Sequence, residues 1–294
     1  MEYRNPKIPE GINVSNEHPL KNFFFLLAGV SIAIVTIVLL LSFSVGYLVK
    51  FVPFETEQKL TSKFETQFEQ FILEAEKEES QSVRHQQVTT YLQTLADDLS
   101  KAQNLPEDIK ITVHYLDEPV VNAFATLGGH IVIYQGLIDA LNSENALSMV
   151  VAHEIAHVKY RHPIVAMGRG LSIGLILSTI TGFGESAFAS DMVGQMGLFT
   201  ALAFSRSQET ESDLEAYQTL VNHYGHAQGA TDLFFELKKI EGSLTPPELL
   251  SSHPLSEKRI LKLEKLGENE QENCSQKEGE CVLTPLPEFL LKEK

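Results

Sequence analysis

The sequence predicts an α+β fold, mainly helical with a small antiparallel sheet, preceded by one transmembrane helix. Three observations predict it. Residues 22–49 carry no charge. Apolar residues alternate at Ile109, Ile111, Val113 and Tyr115, and two short apolar runs follow, joined by Leu127-Gly128-Gly129. Most other apolar residues recur at helical spacing.

The uncharged run would make about 42 Å of helix, enough to cross a bilayer with tilt. A cleaved signal peptide is the competing reading. The run is long for that, begins only after Lys21 and lacks a small-x-small exit, which favours a retained anchor. Two helices are expected next. Leu60, Phe64, Phe68, Phe71 and Ile72 form the apolar face of the first, and Val88, Tyr91, Leu92, Leu95 and Leu99 that of the second. Strand 109–115 precedes a hairpin of residues 120–125 and 130–134.

The next helix carries the chemistry. Ser143 is a candidate N-cap, Glu144 suits the first turn, and Ala146, Leu147, Met149, Val150, Val151 and Ala152 make an apolar lead-in, so this helix is buried. It should end across Lys159-Tyr160-Arg161-His162-Pro163. Inside it stands His153-Glu-Ile-Ala-His157. Histidines four apart project from nearly one angle, so both imidazoles can hold one metal ion with Glu154 beside it. That is the zinc-protease arrangement: two neutral nitrogen ligands, an open position for water, and a carboxylate to take the water's proton. A buried helix cannot carry two His and a Glu unpartnered, because each unsatisfied polar group costs about 1–3 kcal/mol. Residues 205–213 supply the third ligand. Glu209 and Asp213 stand one turn apart, so Glu209 can bind zinc while Asp213 reaches behind it to the N–H of a ligand His. Glu211 and Glu215 read as a solvated acidic face.

Several spaced segments agree in order: Val121-Asn-Ala-Phe-Ala, Gly128-Gly-His-Ile, Gly136-Leu-Ile, the HEIAH helix ending in Arg161-His162, Ser205-Arg206 to Ser212-Asp213, and His253-Pro254 with Arg259-Ile260. Over residues 85–265 the chain resembles the zinc metallopeptidase family of the CaaX prenyl protease, HtpX and the periplasmic protease BepA. Ser212 stands where that family usually has Ala. The resemblance implies a zincin-like fold, one Zn2+ per chain on His153, His157 and Glu209, Glu154 as general base and Asp213 behind the ligands. His253 matches the family's HP-x-x-x-x-R segment, which would bring it into the cleft to bind the oxyanion or cap the zinc. In related thermolysin-like enzymes an edge strand beside the zinc holds the substrate, so backbone at Asn122 and Ala123 is the expected substrate-binding edge, or else a hairpin that only packs. His130 is placed along the cleft, and His162, His223 and His226 near helix ends as capping or surface residues.

These readings divide the chain into a cytosolic segment (1–21), a transmembrane anchor (22–49), a helical linker region (50–105), the zinc metallopeptidase domain (106–266) and an acidic tail (267–294). Residues 164–204, cut by Arg169, Glu185 and Asp191, read as two core or membrane-facing helices with a mobile connection over the cleft. Charge does not orient the anchor, because Arg4, Lys7 and Lys21 on one side match Lys50, Lys59 and Lys63 on the other. Cys274 and Cys281, the two cysteines, are spaced for a small disulfide loop, which would put the catalytic domain in an oxidising compartment such as the periplasm; two unrelated thiols are the alternative. The formal charge of −16 and the lack of a basic stripe argue against nucleic acid. The expected protein is a zinc endopeptidase of the inner membrane, and the family resemblance implies misfolded or misassembled envelope proteins as its substrates. A polytopic protein with a cytosolic site, and an assembly factor with latent protease activity, are the rivals.

Overall fold

The computed structural model describes residues 18–48, 51–59, 82–170, 204–240, 249, 253–254, 256–275 and 281–292. The helix expected from Leu60 to Ile72, and residues 171–203 of the ambiguous 164–204 stretch, lie outside these.

Helix α1 (Pro19–Leu48) contains residues 22–48 of the expected span: Pro19–Leu41 has a mean hydropathy of 2.9 and no part of it is buried against the protein. An apolar surface of that size needs lipid or a partner to cover it. A short helix, α2 (residues 54–59), follows and is not left in solvent: Phe54 is 2% exposed and Glu57 1%.

Helix α3 (Val83–Ala102) starts on Ser82, whose Oγ accepts the His85 N–H at 3.1 Å. Val88, Leu92, Leu95, Ala96 and Leu99 form its buried stripe, as their spacing requires. Strands β1 (Thr112–Leu116), β2 (Ala123–Ala125) and β3 (His130–Tyr134) follow, in spatial order β1-β3-β2. The expected hairpin is present, since β2 runs antiparallel to β3, but β1 joins β3 in parallel, so the sheet is mixed and not purely antiparallel. Composition explains the order. β3 is buried from Ile131 through Tyr134 and takes the middle, whereas three-residue β2 takes the edge.

A short helix, α4 (Gln135–Asp139), leads to α5 (Glu144–Lys159), capped by Ser143 Oγ accepting the Ala146 N–H at 3.1 Å and buried at every position from Asn145 to Val158. It ends where proline was expected to end it. Arg161 takes a left-handed φ of 61°, and Pro163 lies in the first turn of α6 (residues 162–170), where its missing N–H costs nothing. Helix α7 (Arg206–Tyr224) opens with a capping box, Ser205 with Gln208, and closes on Gly225 at φ 78°. Its pairing with α5 is the largest helix contact among the described residues. Helix α8 (Asp232–Ile240) and helix α9 (Glu257–Ser275) complete the described helices, and α9 begins two residues later and runs farther than the expected 255–266.

Cys274 and Cys281 are joined in a disulfide. The tail beyond straps the back of the domain: Thr284 N–H donates to Asn145 Oδ1 at 2.8 Å, and the Leu290 carbonyl accepts from Arg84 and Gln135 at 3.1 and 2.9 Å.

The β2–β3 turn is sterically exacting. Gly128 and Gly129 have φ of 74° and 87°, and a Cβ on Gly129 would lie 2.1 Å from the Lys110 carbonyl oxygen. Gly225 has a similar φ of 78° but nothing within 4 Å of its missing Cβ. Gly129→Ala should therefore destabilise the protein by about 2–4 kcal/mol, combining conformational strain and overpacking, against about 1 kcal/mol for Gly225→Ala. Denaturant midpoints of the detergent-solubilised chain check this; equal costs would mean that the Lys110 contact is not restrictive.

Candidate metal centre

Helix α5 places His153 and His157 on one face, and α7 delivers Glu209 opposite them. The Nε2 atoms of the two imidazoles lie 2.9 Å apart, and the Glu209 carboxylate oxygens lie 3.6 Å from His153 Nε2 and 3.5 Å from His157 Nε2. His253 Nδ1 is 3.2 Å from Glu209 Oε1. These four residues are buried, and one donor atom from each lies within 4.8 Å of the others.

The donor set fits zinc. A tetrahedral ion with bonds of about 2.0–2.2 Å spaces its donors roughly 3.3 Å apart, close to the separations found here. The hydrogen-bond partners agree: His153 Nδ1 faces Asp213 Oδ1 at 3.1 Å, so the proton belongs on Nδ1 and Nε2 presents a lone pair inward. Two inward lone pairs at 2.9 Å repel unless a cation or a proton lies between them. The neighbouring carboxylates favour a proton on His153. Burial pulls His153 down, but Asp213 and Glu209 outweigh it and hold its pKa at about 10, while burial and the adjacent His153 push His157 well below its ordinary value.

Asp213 reaches the ring of His153 from behind. What the sequence reading did not assign is Arg259. Its Nε and Nη2 grip Asp213 at 2.8 Å each, and its Nη1 reaches Glu209 Oε2 at 2.7 Å and the Pro254 carbonyl at 3.0 Å. Burial opposes ionisation of both acids, yet Glu209 is pulled well down by His253 and His153, and Asp213 is pulled down by Arg259 and His153. The available signal was the spacing from His253-Pro254 to Arg259 beside an acid-bearing helix.

Glu154 lies at the margin of this cluster, 1% exposed. Its Oε2 accepts the Ala125 N–H at 2.7 Å and its Oε1 is 3.5 Å from His253 Nε2. Burial raises its pKa, with His253 and His153 working against the rise. His253 Nε2 is buried and makes no hydrogen bond. An apolar pocket opens beside Glu154, lined by Met149, Val150, Leu233, Phe234 and Leu249 with His253 and Arg259.

The hairpin brings its edge to this pocket. Asn122 itself is used up: its N–H donates to the Val120 carbonyl and its carbonyl accepts from Tyr134, each within 3.2 Å. By alternation along the antiparallel ladder, the backbone groups of Ala123 and Ala125 face outward, Ala125 N–H toward Glu154. His130 instead pairs with His114, Nδ1 to Nε2 at 3.0 Å. The surface reading fails for His162, which sits at the start of α6 but is 3% exposed with Nδ1 at 3.0 Å from His157 Nδ1; His226, 4% exposed, accepts the Gln228 N–H at 3.2 Å just past the end of α7. Of the two acids read as a solvated face, Glu211 is half-exposed and faces His162, whereas Glu215 accepts from Lys159 and Tyr160 at 2.6 and 2.5 Å, clamping the end of α5.

Comparison with known proteins agrees with this geometry. Residues 86–267 match the model of Peptidase family M48. The chain is 30% identical over 165 residues to the mitochondrial metalloendopeptidase OMA1 of Schizosaccharomyces pombe, covering 53% of this chain and 47% of the relative. It is 32% identical over 186 residues to the beta-barrel assembly-enhancing protease of Escherichia coli K12, covering 59% and 37% respectively. The OMA1 of Arabidopsis thaliana is 30% identical over 154 residues, 52% of this chain and 31% of that one. The chain thus spans less than half the length of each of these relatives. With the family model covering well over half of its residues, donor cluster included, the chain belongs to peptidase family M48.

Proposed function

We propose that this chain is a membrane-anchored zinc endopeptidase in which His153, His157 and Glu209 hold the metal, Glu154 is the general base, and Asp213 orients His153. The observation that carries the reading is the convergence of two imidazole Nε2 atoms and a carboxylate on one buried point, with a second carboxylate at its margin. Bound zinc would supply Lewis acidity, lowering the pKa of water and polarising a peptide carbonyl. Glu154 does the proton work. Its Oε2 is fixed by Ala125, which leaves Oε1 to take a proton from water and return it to the nitrogen of the leaving amine; its burial-raised pKa suits both directions. The outward backbone of Ala123 offers an extended peptide a strand partner independent of its sequence, and the apolar pocket favours a hydrophobic side chain.

The substrates we infer are misfolded or misassembled proteins of the cell envelope, with residues 1–21 cytosolic and the catalytic domain periplasmic. The disulfide supports an oxidising side, and the relatives named beta-barrel assembly-enhancing protease support an envelope setting. His253 favours a latent resting state. It supplies a fourth donor to the cluster, and a zinc site with four protein donors is closed, whereas catalysis needs one position open.

Three outcomes test this reading. A His153→Ala, His157→Ala double variant should lose zinc by elemental analysis, whereas Glu154→Gln should retain it and lose about 10²–10⁴-fold in casein cleavage; full zinc in the double variant removes the assignment. His253→Ala should keep zinc and cleave casein several-fold faster, and a variant slower than the parent would make His253 an assisting group instead. Zinc uptake must displace the proton held on His153, whose raised pKa of about 10 keeps it protonated below that pH, so affinity should rise with pH from about 6 to 9. Chelator competition across that range measures it, and a flat profile would place no proton in the site.

A further inference from the structure

We propose that His162 and Glu211 are positioning residues that hold His157 through a relay, so that each imidazole of the metal centre is oriented by its own carboxylate. The inference rests on the reading of His157 as a zinc ligand. His153 meets Asp213 directly, but among the described residues His157 has no carboxylate at its Nδ1; it has His162 Nδ1 at 3.0 Å. On the far side of that ring, His162 Nε2 lies 3.4 Å from Glu211 Oε2.

Proton counting leaves one consistent assignment. If His157 Nε2 gives its lone pair to a metal, its proton is on Nδ1 and is donated to His162 Nδ1. His162 must then carry its own proton on Nε2, the nitrogen that faces Glu211. Each link holds one proton and one acceptor. Placing the shared proton on His162 instead would put a proton on His157 Nε2 and close that atom to metal.

The surroundings show how the relay is built. His157 is fully buried and His162 is 3% exposed, so neither Nδ1 can turn to water, whereas the Glu211 side chain is 52% exposed and free to adjust toward the ring. Phe204 stacks on the His157 ring with centroids 3.9 Å apart, which leaves rotation in the ring plane to be fixed by the Nδ1 contact. The backbone puts His162 there by the left-handed turn at Arg161, φ 61°. That turn is held from outside: Arg161 Nε donates to Glu57 Oε2 at 2.8 Å and Nη1 to the Val52 carbonyl at 3.0 Å. Glu211 comes from α7, the same helix that carries Glu209 and Asp213, so one helix supplies a ligand and both orienting acids.

The test uses the full chain in detergent, with zinc affinity read by competition against a chelating dye and ligand geometry read from the visible spectrum of the Co2+-substituted protein. His162→Phe keeps the ring shape and removes both nitrogens. It should weaken zinc binding roughly 10- to 100-fold and shift the Co2+ bands, with the melting temperature of the metal-free protein close to the parent's. Glu211→Gln, at a half-exposed position that does not endanger folding, should weaken zinc about 3- to 10-fold, and Glu211→Asp should recover part of that loss. Parental affinity and spectrum in both His162→Phe and Glu211→Gln would overturn the relay, and so would parental values in Glu211→Gln alone should His162→Phe not fold. His157→Ala separates this from the underlying reading: if it too keeps parental zinc affinity, the ligand assignment fails, whereas its loss of zinc beside unchanged relay variants overturns the relay only.

Discussion

Arg259 is the charge on which the interior depends. Helices α5 and α7 bury Glu154, Glu209, Asp213, His153 and His157 between them, and three of these are carboxylates with almost no exposure. Removing one partner from such a buried pair typically costs about 3–5 kcal/mol, because the other charge is left in a medium that cannot solvate it. Arg259 answers two of the three acids at once, with a bidentate grip on Asp213 and a single contact to Glu209. A lysine could not do so, since a point charge lacks the planar fork that spans two carboxylates. By also binding the Pro254 carbonyl, the same guanidinium fixes the approach of His253 to the cluster. Stability and the candidate chemistry therefore share one cation.

The third acid is handled differently. Glu154 is compensated by a backbone amide, Ala125 N–H, on the edge strand. Burial raises the pKa of Glu154 above its ordinary value, whereas His253 and His153 pull Glu209 below its own and Arg259 and His153 pull Asp213 below its own. Three buried carboxylates on two packed helices thus differ in the direction of their pKa shift.

The segment that leaves the membrane helix is part of this construction. Glu57 accepts from Gly128 N–H in the β2–β3 turn and from Arg161 at the end of α5, and the Arg161 guanidinium lies over the Phe54 ring at 5.3 Å. Residues 52–57, which follow α1 in the chain, therefore touch both the hairpin and the turn that follows the histidine helix.

The sequence by itself determined what depends on near neighbours. Ser143 and Ser205 mark helix starts through side chains that cap amides a few residues on, the stripe of α3 follows from its period, and His153 and His157 share a face because the helix repeat allows nothing else. The run of residues 22–49 marks a candidate membrane helix by length and lack of charge alone. Asp213 was legible because it stands one turn from Glu209. Tertiary structure decided what depends on contacts between distant segments. The parallel docking of β1 leaves no local signature, since a strand's alternation says which face it buries but not which neighbour it meets. Arg259 lies far along the chain from the acids it neutralises, and Glu57 lies far before the arginine it holds. His162 looked like a helix-end residue because it is one; only the left-handed turn at Arg161 carries its ring back beneath His157. A buried polar group must find a partner, but sequence spacing names that partner only within a turn or two of helix, and beyond that distance packing chooses it.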